Sequence, residues 1–467
     1  MSKFKEKAFL IAVGDFGGRG LAFITSIYLA RTLGTEFYGL ITVAISILGY
    51  ATWSSDLGIL NIGVREIAKD PEHRKFRAKE LFNLKVVLAA IVLVISTIII
   101  SYIPIAELQK HVILGYLYSL IPYALLLEWY YSGKQEFGKL SLSRIVNGAV
   151  YLGLVYWLIK SEDDVAMVPI LYTIGITSAV AILATFSISD HPFALPSRGF
   201  KTYIELLKNS SIVGLGGFFA NVVQLLPPIL IGIFLSLRDA GVYGAAFKII
   251  IIAMMLDRIF VNLLLPNLAS LWSSNKESAN ERINMVIRLL IVGGTVISLL
   301  AAINAEQIIL LLYGPEFVGS VSILQILSVF ILLTFLNSLF SFGLIATNSD
   351  RKYFMATSVG GTISAILIVL FSSFGNSHFV AIAVILSEFV LTLSSYLWFR
   401  KIARIEIFRS LFIISFVGIA LFLLFDHYNI HFLIASLITI TVIPIVSWYT
   451  RVIRIGELNW VTEKLIK

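Results

Sequence analysis

A chain of 467 residues that is 58% hydrophobic and only 14% charged cannot clothe a water-soluble surface. Soluble domains carry about a quarter charged residues, so lipid must be the solvent over much of this one. A net charge of +8 raises nucleic acid as a partner, but the placement of the basic residues, described below, excludes that reading. There are no cysteines, so there is no disulfide framework.

A membrane-spanning helix needs about 20 mostly apolar residues. In chain order such spans are predicted at 8–30, 38–60, 82–103, 111–131, 143–160, 166–188 and 209–235. The series continues at 241–265, 284–304, 320–345, 353–373, 378–399, 410–426 and 431–450, giving about fourteen. Lys3, Lys5 and Lys7 precede the first apolar stretch, but Asp15 and Arg19 interrupt it. It therefore reads as a retained helix rather than a cleavable signal.

With the N-terminus inside, 29 of the 36 basic residues fall in inside loops, Arg144 and Lys85 among them. Four fall outside, at Arg31, Lys110, Lys160 and Arg238, and Arg19, Lys248 and Arg258 lie within spans. That bias predicts both termini in the cytoplasm and a multi-pass protein of the cytoplasmic, or inner, membrane. It also accounts for the positive charge without nucleic acid. The loops are short, the largest being about 61–81, so any chemistry is expected among the helices.

Thr35-Glu36-Phe37-Tyr38-Gly39-Leu40 opens the second span, and Ala240-Gly241-Val242-Tyr243-Gly244-Ala245 opens the eighth. Each follows an arm rich in helix breakers: Gly14, Gly17, Gly18 and Gly20 in one, Gly214, Gly216, Gly217, Pro227 and Pro228 in the other. A shift of six spans preserves orientation, so this is a parallel repeat. The expected fold is an all-α integral membrane protein with two six-helix bundles in pseudo-twofold repeat, at 1–208 and 209–405. Two further helices and a cytoplasmic tail occupy 406–467. Interrupted segments at matching places in two halves point to a transport site.

Four stretches resemble the polysaccharide-transporter flippases of the multidrug/oligosaccharidyl-lipid/polysaccharide exporter superfamily, which includes the O-antigen repeat-unit flippases. They are Leu29-Ala30-Arg31-Thr32-Leu33-Gly34 through Tyr38-Gly39, and Asp56-Leu57-Gly58 with Arg65-Glu66-Ile67-Ala68. The others are Gly241-Val242-Tyr243-Gly244-Ala245-Ala246-Phe247-Lys248 with Leu265-Pro266, and Leu311-Leu312-Tyr313-Gly314 with Glu316-Phe317. The resemblance implies helical bundles around a central cavity, alternating access, and a polyprenyl-diphosphate-linked oligosaccharide as cargo. A polysaccharide polymerase or glycosyltransferases of the same pathway would be partners. The resemblance carries no strict catalytic signature and no cofactor.

Ionisable groups at bilayer depth are costly and usually face a cavity or a partner. Arg19 and Asp15 are four residues apart on one helix face, so they read either as an internal ion pair or as a cavity-facing arginine. A planar guanidinium suits a diphosphate, and the resemblance places an arginine in this helix. Lys248 and Arg258 are ten residues apart, about 15 Å of rise and roughly 80° of rotation, so both can face one cavity. Otherwise Lys248 snorkels to the interface and Arg258 pairs with a carboxylate on another helix. Asp257 adjoins Arg258 but points elsewhere. Asp56, Glu128 and Glu388 read as caps, pairs or interface groups before they read as ion-coupling sites.

His73, His111, His191, His378, His427 and His431 show no ligand spacing, so no metal site is expected. There is no G-x-x-x-x-G-K-[ST] motif and no nucleophile elbow. Asp163-Asp164 reads as a solvated acidic turn. Two other functions compete with a flippase. A multidrug or small-cation exporter of the same superfamily should prefer acidic cavity groups, such as Glu388 and Asp257. A membrane glycosyltransferase or polymerase should need a longer external loop.

Overall fold

The computed structural model describes residues 2–69, 74–187, 207, 214–257, 271–272, 274–347 and 349–453. Every regular element among them is helical. The chain divides into two units, Met1–Gly244 and Ala245–Lys467.

The first unit holds α1 (Ser2–Asp56), α2 (Ile59–Lys69), α3 (Arg74–Tyr102), α4 (Glu107–Tyr118), α5 (Leu120–Leu125) and α6 (Glu128–Gly133). It continues with α7 (Phe137–Leu158), α8 (Val168–Ser187), α9 (Val222–Phe234) and the start of α10 (Leu237–Ala253). The second unit holds the rest of α10, α11 (Lys276–Ile303), α12 (Ala305–Leu312), α13 (Ser320–Ala346) and α14 (Asp350–Ser372). After these come α15 (Ser377–Phe399), α16 (Phe408–His427) and α17 (Phe432–Tyr449).

Among the described residues, eleven helices are long and apolar enough to cross a membrane, or twelve if the bent pair Gly214–Ala220 and Val222–Phe234 counts as one. This is fewer than the expected fourteen, and two local features bear on the difference. First, Val13–Asp56 counts once although it has 44 residues, about 66 Å of helix against a hydrocarbon core of about 30 Å. Gly34 breaks it with φ 67°, a left-handed conformation that glycine adopts without steric cost. The Ser26 and Tyr38 hydroxyls are 2.7 Å apart, whereas a straight helix would separate those residues by about 18 Å. The chain therefore doubles back at Gly34. Second, α7 carries Arg144 and Asn147, which lower its apolarity. Its start at Phe137 also corrects the span expected at 143–160. The bend of 52° in the Gly214–Phe234 pair falls in the arm marked by helix breakers, and Pro227 and Pro228 lie within α9.

The Tyr-Gly motifs mark a close crossing inside the first unit. A Cβ on Gly39 would lie 1.8 Å from the Leu237 carbonyl oxygen, and one on Gly241 would lie 2.0 Å from that of Thr35. Each glycine thus rests on the carbonyl four residues before the other. The contact is reciprocal, as local twofold symmetry between matching motifs requires, and only glycine lets two backbones approach so closely.

At the end of this unit that carries α6, Trp129, Tyr130 and Tyr131 are fully buried against Ile67, Leu81, Phe82 and Leu183. The Tyr131 hydroxyl donates to the Leu183 carbonyl at 2.9 Å. In the second unit α15 packs against α13 and α14, and α11 against α13, α16 and α17. Buried hydroxyls such as Ser364 and Ser372 donate to carbonyls four residues back, at 2.8 and 2.6 Å, so neither of these two donors is left bare in an apolar surround. Outward faces are apolar: Phe412, Phe416, Ile419 and Leu423, on one side of α16, are 59–74% exposed. A face of that kind is expected toward lipid, not water.

Candidate functional site

Several ionisable groups of the first unit gather at one end of its helices. Arg144, on α7, grips Glu128 with both arms of its guanidinium fork, Nε to Oε1 at 2.9 Å and Nη2 to Oε2 at 3.1 Å. Its third nitrogen, Nη1, donates to Asp15 on α1. Glu128 is the first residue of α6, where a negative charge also favours the helix N-terminus. The break before α6 leaves the Leu126 carbonyl outside a helix, and the Lys85 ammonium of α3 lies 3.5 Å from it. Lys85 feels the charges of Asp56 and Glu128, and Glu128 also feels Arg19. Among the described residues, Asp15, Asp56 and Glu128 thus each lie within electrostatic reach of one or more of Arg19, Lys85 and Arg144. Guanidinium-to-carboxylate forks of this geometry are strong and directional.

Several sequence expectations are changed here. Asp15 is bonded to Arg144, not held in an internal pair with Arg19. Arg144, expected in a loop, sits within a helix and joins α1, α6 and α7. Lys85, also counted with the inside loops, belongs to the same cluster. A signal for the Glu128–Arg144 pair was present: both residues lie eight positions from Glu136 in the turn of their hairpin, so antiparallel packing brings them level. No such signal exists for Asp15, which is 129 residues from Arg144. Asp56 caps α2, accepting from the Leu60 amide at 3.3 Å, as a cap reading expects. Arg19 itself is half-buried.

Below the cluster, the turn between α6 and α7 carries its own pairs. Glu136 lies 2.5 Å from Lys139 and 3.2 Å from Lys134. Burial opposes its charge, but the two ammonium groups outweigh burial and hold its carboxyl below the usual carboxylate range. Lys134 and Lys139 also sit 5.1 and 5.2 Å from the ring centroids of Tyr130 and Tyr131, within cation–π reach. Asp164 is not merely a solvated turn residue. It accepts from the Lys160 and Ser161 amides at 2.8 and 3.0 Å and so caps the helical turn that leads into α8.

Among the described residues of the second unit, two carboxylates are buried. Glu388, on α15, accepts from the Asn337 amide at 3.0 Å and is 4% exposed. Among the described residues it forms no ion pair. Asp257 accepts from the Ser338 hydroxyl at 2.7 Å. Asn337 and Ser338 are neighbours on α13, so this one helix serves both acids. Lys248 is half-buried on α10 and makes no ion pair or hydrogen bond among the described residues. Arg258 lies outside the described residues.

Residues 4–272, more than half of the chain, match the model of a family described as polysaccharide biosynthesis protein. A protein of Haloferax volcanii, described as a low-salt glycan biosynthesis flippase, Agl15, is 22% identical over 78% of this chain and 76% of its own length. A protein of Escherichia coli K12, described as an O-antigen transporter, is 22% identical over 80% of this chain and 91% of its own. Among solved structures, the lipid II flippase MurJ in an inward closed conformation superposes with a TM-score of 0.73. It covers 98% of this chain and 100% of that one at 13% identity, a likeness of fold alone. The helices that hold the paired charges and the matched residues therefore agree, and the chain belongs to the polysaccharide biosynthesis protein family of multi-pass membrane proteins.

Proposed function

We propose that this protein is a flippase that moves a polyprenyl-diphosphate-linked oligosaccharide from the cytoplasmic to the outer leaflet by alternating access, for surface polysaccharide or glycan synthesis. The observation that carries this reading is the match, over about four fifths of the chain, to relatives described as a glycan biosynthesis flippase and an O-antigen transporter. The polar chemistry described above lies on membrane helices and their ends, which suits transport rather than catalysis. The membrane is the cytoplasmic or inner membrane with both termini inside, on the strength of the basic bias of the loops. A polymerase or glycosyltransferases of the same pathway would consume or supply the cargo.

Fourteen passes are part of the proposal. Val13–Asp56 counts twice for its hairpin, the bent pair once, and α7 once, since its charge is neutralised by Glu128 and Asp15. The repeat units remain 1–208 and 209–405, with two additional helices and a cytoplasmic tail at 406–467. Arg19, Lys248 and Arg258 supply the positive charge that takes the diphosphate during transport. Lys248 supports this part of the reading, because a half-buried ammonium with no ion pair among the described residues is costly unless a ligand repays it. Glu388 and Asp257 bind or release a coupling ion.

The test is export in a deletion strain carrying Arg19→Ala, Lys248→Ala or Arg258→Ala. The expected result is accumulation of the lipid-linked oligosaccharide on the inner leaflet, with each variant present in the membrane at normal level. Full complementation by all three would overturn the site. Normal flipping in the strain lacking the protein would overturn the function.

A further inference from the structure

A polar cleft of about 920 Å³ opens in the second unit between the first turns of α11 and the linker that joins α15 to α16. Its walls are built by two asparagines. The Asn280 side-chain carbonyl accepts from the Arg404 amide at 3.0 Å. Asn284 donates to the Arg404 carbonyl at 2.9 Å and accepts from the Glu406 amide at 2.8 Å. These residues are four apart on one face of α11, so they pin the linker along the helix as a neighbouring strand would. The backbone of Arg404 is fixed at both its amide and its carbonyl, while its side chain lines the cleft and forms no ion pair among the described residues.

The charges around the cleft are unequal in burial. Arg282 and Arg288 are half-buried, whereas Glu277, Glu281 and Glu406 are exposed, as are Lys276 and Arg404. A carboxylate in water is screened and free to turn outward; a guanidinium held against a wall keeps its field in the cleft. Arg288 is also the last charge on α11, since 289–303 is uncharged. The cleft therefore sits where the helix passes from polar to apolar, the depth of lipid headgroups. Basic pockets between helices at that depth take phosphate headgroups.

We propose that this cleft binds a phosphate group at the membrane surface, whether carried by an anionic lipid headgroup or free in solution. Arg282, Arg288 and Arg404 all line this one volume, and the planar fork of a guanidinium matches phosphate oxygens. The volume, in the range of organic-ligand pockets, suits a headgroup with its glycerol better than a bare ion. The proposal is independent of the flippase reading.

The full chain in nanodiscs of phosphatidylcholine with phosphatidylglycerol tests it, with bound lipid measured by native mass spectrometry. Wild type should retain phosphatidylglycerol in preference to phosphatidylcholine. Arg282→Gln with Arg404→Gln should lower that preference by about tenfold or more for each charge-assisted hydrogen bond removed. Arg351→Gln with Lys352→Gln, which removes the same charge elsewhere, should leave it intact. Equal loss in both double variants, or no loss in the first, would overturn the proposal. Inorganic phosphate is titrated in a second arm, read by thermal shift. A shift in wild type that the first double variant lacks, without lipid preference, assigns the cleft to soluble phosphate. No lipid preference and no phosphate shift in wild type would also overturn it. Matching elution profiles show that the variants are folded.

Discussion

Replacing Gly39 with alanine should separate two helices that nothing else could hold so close. The new Cβ would lie 1.8 Å from the Leu237 carbonyl oxygen. Close carbon–oxygen contacts between helices run about 3.3–3.6 Å, so the helices must part by on the order of 1.5 Å. The carbonyl cannot turn aside, because it belongs to the helical backbone. Overpacking of this kind costs about 1–3 kcal/mol, occasionally more, and the upper end applies here. Alanine regains up to about 1 kcal/mol of helix propensity, leaving Gly39→Ala destabilised by about 2 kcal/mol. Gly241→Ala, with its Cβ 2.0 Å from the Thr35 carbonyl oxygen, should behave alike. The double variant should cost less than the sum, since one separation relieves both clashes. Gly153 provides the contrast: nothing lies within 4 Å of a Cβ there, so Gly153→Ala should stabilise by up to about 1 kcal/mol. The assay is equilibrium unfolding in mixed micelles, with export measured alongside. Equal stability of Gly39→Ala and Gly153→Ala would refute the reciprocal crossing.

The other predictions concern charge. Arg144→Ala leaves Glu128 and Asp15 without their shared partner. Breaking a buried pair costs about 3–5 kcal/mol; with these side chains 23–32% exposed, about 1–3 kcal/mol is expected after screening. Arg144→Lys should fall between wild type and alanine, because it keeps the charge and loses the fork; unfolding midpoints check both, and an unchanged alanine variant sinks the cluster. Glu136 has its carboxyl held low, so its pairs stabilise the fold fully above the unfolded carboxylate value of about 4.3, and that contribution disappears as pH falls through the lower folded value. Glu136→Gln should therefore unfold less than about 1 kcal/mol more easily at pH 7, and indistinguishably from wild type in strong acid. For Glu388→Gln, transport into proteoliposomes should lose its dependence on an imposed ion gradient while cargo binding persists; unaltered gradient dependence removes Glu388 from coupling.

The membrane class and most of the helices were legible in the sequence, because lipid acts on each residue alone and a window of about 20 residues records its effect. The C-terminal pair is an instance: spans expected at 410–426 and 431–450 form as Phe408–His427 and Phe432–Tyr449. The matching Tyr-Gly motifs also announced that two places in the chain share an environment. What that environment is, a glycine resting on the other motif's carbonyl, belongs to the packing of helices some two hundred residues apart. Partners for charges were likewise beyond the sequence. Asp15 and Arg19 are close along one helix, and local spacing allowed them to pair, yet Asp15 accepts from the Arg144 guanidinium on α7. The pinning of Arg404 by Asn280 and Asn284 spans 120 residues or more. Solvent preference is a property of single residues and is written along the chain. Pairing is a property of two, and only the folded arrangement of helices decides which two meet.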